Sequence, residues 1–379
     1  MGSNMSHSSL AKREVCWHNV FYLVLTPFFT AMLVPYYLWK GQAILPITIF
    51  STLFALVTLV SITAGYHRYF AHRSYETYWP IKLFWLLIGA GSFQGSALKW
   101  ATDHRRHHRF VDTEDDPYNI NQGFFYAHLG WLVLDDNPKY KGKFETDLSR
   151  DKLVAWQHRH YLPLAFAMAF GFPALVGWML GSALGGFVIG GGVRLVVTNH
   201  ATFFINSFCH WMGKQPYTDE NSARDSFLMA VFTQGEGYHN YHHKFQYDYR
   251  NGIRWYHWDP TKWLIATMAR LGWARQLKRA PAPQILKAQL QMEEKRLVRI
   301  GVPAEKISPF RERVEEAQKQ WRELKEDYQA RKKNVQERSR EKLVELRIEI
   351  KRAKREFRSA RVVWGAHKKN LKLAYLPSY

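Results

Sequence analysis

The sequence predicts an all-α integral membrane protein: four transmembrane helices beneath a helical cap, followed by a C-terminal coiled-coil helix or helical hairpin. Three observations carry this reading. Four apolar stretches are long enough to cross a bilayer, the basic charge falls on one side of them, and the last hundred residues change to a heptad-like spacing.

The first stretch, residues 19–39, NVFYLVLTPFFTAMLVPYYLW, contains no charged residue and follows an N-terminal tail of residues 1–18. The second covers 43–66 and is separated from the first by little more than Lys40, so the two form a transmembrane hairpin. A second pair occupies 161–180 and 183–206. Its Gly-rich run, 185–192, suits close approach of backbones. Arg194 is the one charge within these spans and is expected to find an internal partner or to snorkel. A fifth apolar stretch, 80–98, is broken by Lys82 and by Gly89, Gly91 and Gly95. It is read as a helix at the interface or beneath the soluble part.

Four crossings put the N-terminus, 67–160 and 207–379 on one side. Lys and Arg crowd that side, which makes it cytoplasmic. The formal charge is +21, of which residues 281–379 supply +12, with 26 Lys and Arg against 14 Asp and Glu. The organisation expected is a membrane domain over 19–280 and a basic helical region over 281–379. Two cysteines, Cys16 and Cys209, with no CxxC, exclude disulfide, zinc-ribbon and iron–sulfur scaffolds. The opening residues lack the basic and apolar regions of a signal peptide.

Histidines gather on the cytoplasmic side, just past span ends. HRYFAH occupies 67–72, HRRHH occupies 104–108 and HNYHH occupies 239–243. On a helix, positions i, i+3 and i+4 lie at about 0°, 300° and 40°, so His104, His107 and His108 share a face, as do His239, His242 and His243. His67 and His72 are about 140° apart on a regular helix and would not serve one point there. One tetrahedral zinc takes four ligands, whereas eight imidazoles suit two metals. Imidazole accepts iron, copper, zinc and nickel, so the donors do not choose. Soluble di-iron carboxylate bundles need two ExxH motifs, and Glu236–His239 is the one such pair near the clusters, so that scheme fails. Asp103, Asp112, Glu114, Asp115 and Asp116 flank the second cluster and are candidates to hold the outer N–H groups of ligands. The arginines between the cluster histidines are read as partners of acidic groups. His7, His18, His128, His158, His160, His200, His257 and His367 are read as ordinary residues.

In this order and on these flanks, the three boxes resemble the membrane-bound fatty acid desaturases, specifically the Δ9 acyl-CoA (stearoyl-CoA) branch of bacterial type. The likeness runs over about 45–278 and includes GYHRYFAHRSY, WATDHRRHHRFVDTEDDPYN, GFFYAHLGWL and GEGYHNYHHKFQYDYRNG. NSFCH at 206–210 is similar to the family's NSxxH. The resemblance implies that His210 is a ninth ligand and that Asn206 holds a metal-bound water. It implies two irons under a four-helix membrane domain, using O2 and two electrons to insert a cis double bond into an acyl chain. An acyl tunnel is expected near Gln94, Trp100, Thr202 and Phe203. No haem-binding HPGG-type segment or iron–sulfur cysteine set occurs, so electrons are expected from a separate ferredoxin, rubredoxin or small haem protein. A bacterial inner membrane, with both termini and the site cytoplasmic, is the expected location. Thr102 stands where animal relatives carry a basic residue, and Asp135 and Asp136 stand near the place of a basic pair. An acyl chain on phospholipid is therefore the alternative to acyl-CoA, with Lys139, Lys141 and Lys143 as substitute phosphate contacts. A hydroxylase with the same boxes and a metal-binding scaffold are the rival functions.

In the tail, apolar positions run 310, 314, 317, 321, 324 and 328, and again 346, 350, 353, 357, 360 and 364. These are coiled-coil seams one residue out of register across 336–345, suited to self-association over 310–364. With neither Gly nor Pro in 310–364, one long helix is favoured over a hairpin. The segment KRAKREFRSAR, 351–361, suits anionic lipid or an acidic electron donor. No nucleic-acid motif accompanies the charge, and nucleic acid is not expected as a partner.

Overall fold

The computed structural model describes residues 14–134, 138–333 and 340–375. His7, Asp135 and Asp136 lie outside them. The chain divides into two compact units: residues up to Lys214 with Glu220–Arg279, and Gln215–Asp219 with the residues from Ala280 onward.

The main helices of the first unit are α1 (Trp17–Lys40), α2 (Ile44–Ala71), α3 (Trp79–Ala90), α4 (Ala97–Phe110), α5 (Lys152–Arg159), α6 (Tyr161–Met179), α7 (Ala183–Trp211), α8 (His239–Lys244) and α9 (Pro260–Arg270). Four of them, α1, α2, α6 and α7, are long and apolar enough to cross a membrane. They display Phe21, Leu45, Leu53, Leu175 and Val197 outward, the reverse of a soluble protein's surface. α1 ends at Gly41, whose φ of 65° lets its N–H bond back to Tyr37 and Leu38. The other hairpin turns at Gly181, φ 101°.

Compared with the apolar stretches, α2 and α7 each run five residues further. Both extensions carry histidine. The last part of α2, Ser61–Ala71, is π-helical, and the His72 N–H bonds to the His67 carbonyl at 3.0 Å. The i→i+5 bond stacks residues five apart. The regular-helix reading that separated His67 from His72 is therefore replaced: their ring centroids are 4.8 Å apart.

The Gly-rich part of α7 makes close backbone contacts. A Cβ on Gly177 would sit 2.6 Å from the Gly186 Cα, and one on Gly192 would sit 2.5 Å from Thr30 Oγ1. Arg194 is 2% exposed and points inward. It donates to the carbonyls of Gly190 (2.7 Å), Gly91 (2.9 Å) and Ala169 (3.3 Å), and it stacks over Phe54. α3 has twelve residues, about 18 Å at 1.5 Å per residue, too short for a crossing. Lys82, which interrupts it, pairs with Asp151, the cap of α5. A two-stranded antiparallel ladder, β1 (Glu76–Thr77) with β2 (Ala274–Arg275), returns the chain to the end of α2, where Lys278 N–H bonds Ser74.

The second unit holds α10 (Ala282–Arg299), α11 (Ser308–Lys333) and α12 (Arg340–Tyr375). Phe310 stacks on His367, Trp321 on Phe357, and Tyr328 meets Arg347. Contacts that advance along α11 retreat along α12, so the helices are antiparallel. The favoured single long helix is corrected to two antiparallel helices, one ending at Lys333 and the next beginning at Arg340; residues 334–339 lie outside the described residues. The one-residue change of register accords with two helices that each carry a seam of their own. Val314, Phe357, Ala360, Trp364 and Leu371 bury that seam together with Leu286, Leu290 and Leu297 of α10. The surface expected to serve self-association is thus filled within the chain. Glu293 accepts from the Trp364 indole at 2.5 Å and pairs with Lys368 at 2.6 Å. Asp219 pairs with Lys295 (2.7 Å) and Arg299 (2.5 Å).

Candidate metal centre

Four segments bring histidines to one place. The extension of α2 brings His67, and His72 follows its last turn. α4 carries His104, His107 and His108; Ser96 caps it, accepting from Lys99 N at 3.2 Å. Arg105, inside the box, donates to the carbonyls of Phe70 and Ala71, both at 2.7 Å, and to Asp147 at 2.8 Å. It therefore closes the open C-terminal end of α2 and fixes α4 against it. Arg106 pairs with Asp103 at 3.5 Å and lies over the Tyr140 ring. α7 brings His210. α8 carries His239, His242 and His243, and Asp225 accepts from the N–H groups of Asn240 (2.8 Å) and Tyr241 (3.1 Å) in its first turn.

The nine imidazoles sort into two groups, His67, His72, His104, His108 and His242 in one, and His107, His210, His239 and His243 in the other. Each HxxHH is divided: His107 leaves its neighbours for the second group, and His242 leaves its neighbours for the first. In the first group, Nε2 atoms are 3.0 Å apart for His67 and His242, 2.9 Å for His72 and His104, 3.1 Å for His104 and His108, and 2.9 Å for His108 and His242. In the second the separations are 3.0 Å for His210 and His239, 3.1 Å for His239 and His243, and 3.3 Å for His107 and His243.

The outer nitrogens fix what those Nε2 atoms offer. His67 Nδ1 lies 2.8 Å from Glu236 Oε2, and His107 Nδ1 lies 2.8 Å from Asp116 Oδ1. A carboxylate can only accept, so Nδ1 carries the hydrogen, and Nε2 is the nitrogen left to bind a metal. His104 Nδ1 meets Tyr118 Oη at 3.2 Å. Ser222 gives its hydroxyl hydrogen to Asp112 at 2.5 Å, leaving Oγ to accept from His210 Nδ1 at 2.7 Å. Burial first, then neighbouring imidazoles, holds His72, His104, His108, His239, His242 and His243 well below the usual range, hence neutral. Neutral lone pairs converging at 3 Å repel unless a cation stands between them. Nitrogens about 2.1 Å from one ion lie about 3.0 Å apart when cis on an octahedron, and about 3.4 Å apart on a tetrahedron. Six of the seven separations fit the octahedral pattern, His107–His243 at 3.3 Å being the exception, and five donors exceed a closed zinc site. Both groups could hold an octahedral ion with a free position, the second with more room.

Of the flanking acids, Asp116 holds the outer N–H of His107 as expected, whereas Asp112 reaches His210 only through Ser222. Asp103 pairs with Lys99 and Arg106, Asp115 with Lys139, and Glu114 is exposed. Glu236, named from the sequence only to reject an ExxH carboxylate scheme, is a site residue the sequence left unassigned. It faces His67 and is gripped by Arg68 (2.9 Å) and Asn251 (2.6 Å), with Arg68 also on Asp259 (3.0 Å). Burial alone would raise the Glu236 carboxyl; His67 and Arg68 outweigh it and hold it down.

Asn206 lies one turn before His210 on α7, half-buried. Gln94 donates to Thr202 (3.0 Å) and Asn199 (3.1 Å) and accepts from the Trp100 indole (3.3 Å), whose ring stacks on His104. Phe203 is not in that network; it packs near the rings of His128 and His200. Those two histidines bond each other at 3.0 Å, apart from both groups.

Residues 42–279 match the family described as fatty acid desaturase. Acyl-CoA desaturase 1 of Saccharomyces cerevisiae is 44% identical over 255 residues, 67% of this chain and 50% of that protein. Probable acyl-CoA desaturase of Schizosaccharomyces pombe is 45% identical over 267 residues, 68% of this chain and 56% of that protein. Stearoyl-CoA desaturase of Homo sapiens is 35% identical over 287 residues, 73% and 77% of the two chains. The chain spans about half the length of the yeast relatives.

Proposed function

The chain belongs to the fatty acid desaturase family, and from that membership we propose that it inserts a cis double bond, at Δ9, into a saturated acyl-CoA. The observation that carries the reading is the pair of buried imidazole groups whose Nε2 atoms converge to about 3 Å of one another. Two irons bound there would supply O2-dependent redox chemistry, in which two hydrogens leave adjacent methylenes and O2 becomes two waters with two external electrons and two protons.

The protein's own part is to hold and to exclude. His67, His72, His104, His108 and His242 are assigned to one iron; His107, His210, His239 and His243 to the other. Glu236 and Asp116 keep hydrogen on the outer nitrogens and so keep the inner lone pairs available. Asn206 is assigned a metal-bound water on the side with four histidines. Gln94, Trp100 and Thr202 form one wall of the acyl path; the stacking of Trp100 on His104 supports placing that wall against the first iron. Phe203 is assigned to the same path further along α7. An unactivated methylene offers no handle to acid or base, so regiochemistry rests on which carbons this wall presents. Residues 19–280 are assigned to this reaction, and 281–379 to an appended basic region. The excess of Lys and Arg supports a cytoplasmic site and termini, at an inner membrane if the chain is bacterial, and a separate acidic electron donor.

Expression in a host that makes no unsaturated fatty acids, with lipid profiling by mass spectrometry, tests this. A cis monoene that disappears with His107→Ala is the expected result. Hydroxy acids would replace the proposal with a hydroxylase. An unchanged profile, with good expression and an electron donor supplied, would end the enzymatic reading. Feeding labelled acyl-CoA and labelled phospholipid separately identifies the carrier.

A further inference from the structure

The tail helix α12 has two faces, and only one is used by the fold. At about 100° per residue, Ala353, Phe357, Ala360, Trp364 and Leu371 lie within one 60° sector, and all are buried in the seam with α10 and α11. Directly opposite, Val344, Ile348, Val362 and Leu373 fall within about 40° of one another. They are 48%, 63%, 72% and 70% exposed.

Four cations of α12 are engaged within the unit. Arg352 pairs with Glu356, Lys354 lies over Trp321, Arg361 over Phe357, and Lys368 pairs with Glu293. Lys351, Arg355, Arg358 and Lys369 are exposed and make no ion pair among the described residues. These four lie within about 60° of the middle of the aliphatic stripe. From 351 to 375 the sequence has nine Lys and Arg and one acid, Glu356. A line of unpaired cations thus runs along a line of exposed aliphatic side chains, on a face that none of the described elements covers.

We infer that this face of α12 lies on an anionic membrane surface. Charge complementarity selects the occupant: a helix with a basic flank and a modest apolar stripe is the pattern that settles among anionic headgroups. The stripe has no Tyr or Trp, the side chains that anchor protein interfaces. A second copy would set like charges face to face. The apolar area is too small to hold a free helix on a bilayer, but four spans already keep this chain at the membrane. A tethered second contact needs little affinity of its own.

The test uses the full chain in nanodiscs, with Val362→Cys carrying an environment-sensitive fluorophore. The native thiols, Cys16 and Cys209, are buried, and the parent protein gives the labelling background. The expected result is a blue shift and quenching by nitroxide lipids in phosphatidylcholine–phosphatidylglycerol discs, but not in phosphatidylcholine alone. It should fade near 1 M salt, where the screening length is about 3 Å. The quadruple variant K351Q/R355Q/R358Q/K369Q, checked for unchanged helicity by circular dichroism, should return the signal to its phosphatidylcholine value. Equal signals in both lipids would overturn the inference. So would a shift that grows with protein density regardless of lipid, which would mean a second copy, or one that requires an added acidic protein.

Discussion

Glu236 concentrates the chemistry of the site in one carboxylate. Its Oε1 receives Arg68, while its Oε2 receives Asn251 and faces His67, in a place with almost no solvent. Glu236→Gln is expected to lower metal affinity by about 10–100-fold, the usual cost of losing an outer partner of a ligand. Metal-to-protein ratios after dialysis against graded chelator would show it. Asp147 gives a pH-dependent counterpart. Burial would raise its carboxyl, but Arg105 and Arg73 outweigh burial and hold it at about 2. An unfolded Asp titrates near 3.9, so the stabilisation is complete above about pH 4 and is lost as pH falls towards 2. The stability difference between wild type and Asp147→Asn, followed by thermal unfolding of the metal-free protein, should shrink to nothing over that interval. At this scale the histidines were legible because their spacing repeats. Tyr118, Ser222 and Glu236 were not, because each meets its histidine across the fold or around a turn that no spacing marks.

Elements show where spacing rules hold and where they need the backbone. HxxHH does put three imidazoles on one face, yet a face about 100° wide can serve two centres, and the motif cannot say which histidine goes where. HxxxxH looked incompatible with one point until the π-helical turn made five residues the stacking interval. The tail misled in the opposite way. An uninterrupted stretch without Gly or Pro favoured one helix, whereas the register change accords with two helices that each carry a seam of their own. Trp321 and Phe357, with ring centroids 5.6 Å apart, hold those two helices together. Phe357→Ala should destabilise the second unit by about 3–5 kcal/mol. Limited proteolysis would find faster cleavage within 280–375, with metal content of the full protein unchanged.

For the whole molecule, hydropathy located the four described helices long and apolar enough to cross a membrane, since length and absence of charge are properties of single segments. What joins the crossings was hidden. Arg194 binds backbone carbonyls of Gly91, Ala169 and Gly190, acceptors that every residue has and no sequence pattern displays. Two of them lie in π-helical stretches, Ala167–Gly171 and Gly186–Val193, where the usual helical ladder is interrupted. In hydrocarbon such groups have no water to turn to. Arg194→Met should leave them without that donor and destabilise the membrane unit by about 1–3 kcal/mol for each acceptor left unpaired. Thermal unfolding in detergent measures this, and Arg194→Lys should recover only part, since one ammonium cannot reproduce the guanidinium fork.

The division of each HxxHH between two groups has a consequence for how the centre is filled. α4 and α8 each contribute to both groups, so neither site can be ordered without placing part of the other. The first ion to arrive must immobilise both helices, and the second finds its donors already aligned. Occupancy should therefore rise cooperatively, with half-loaded molecules scarce. A metal titration followed by native mass spectrometry would register a shortage of the one-metal species.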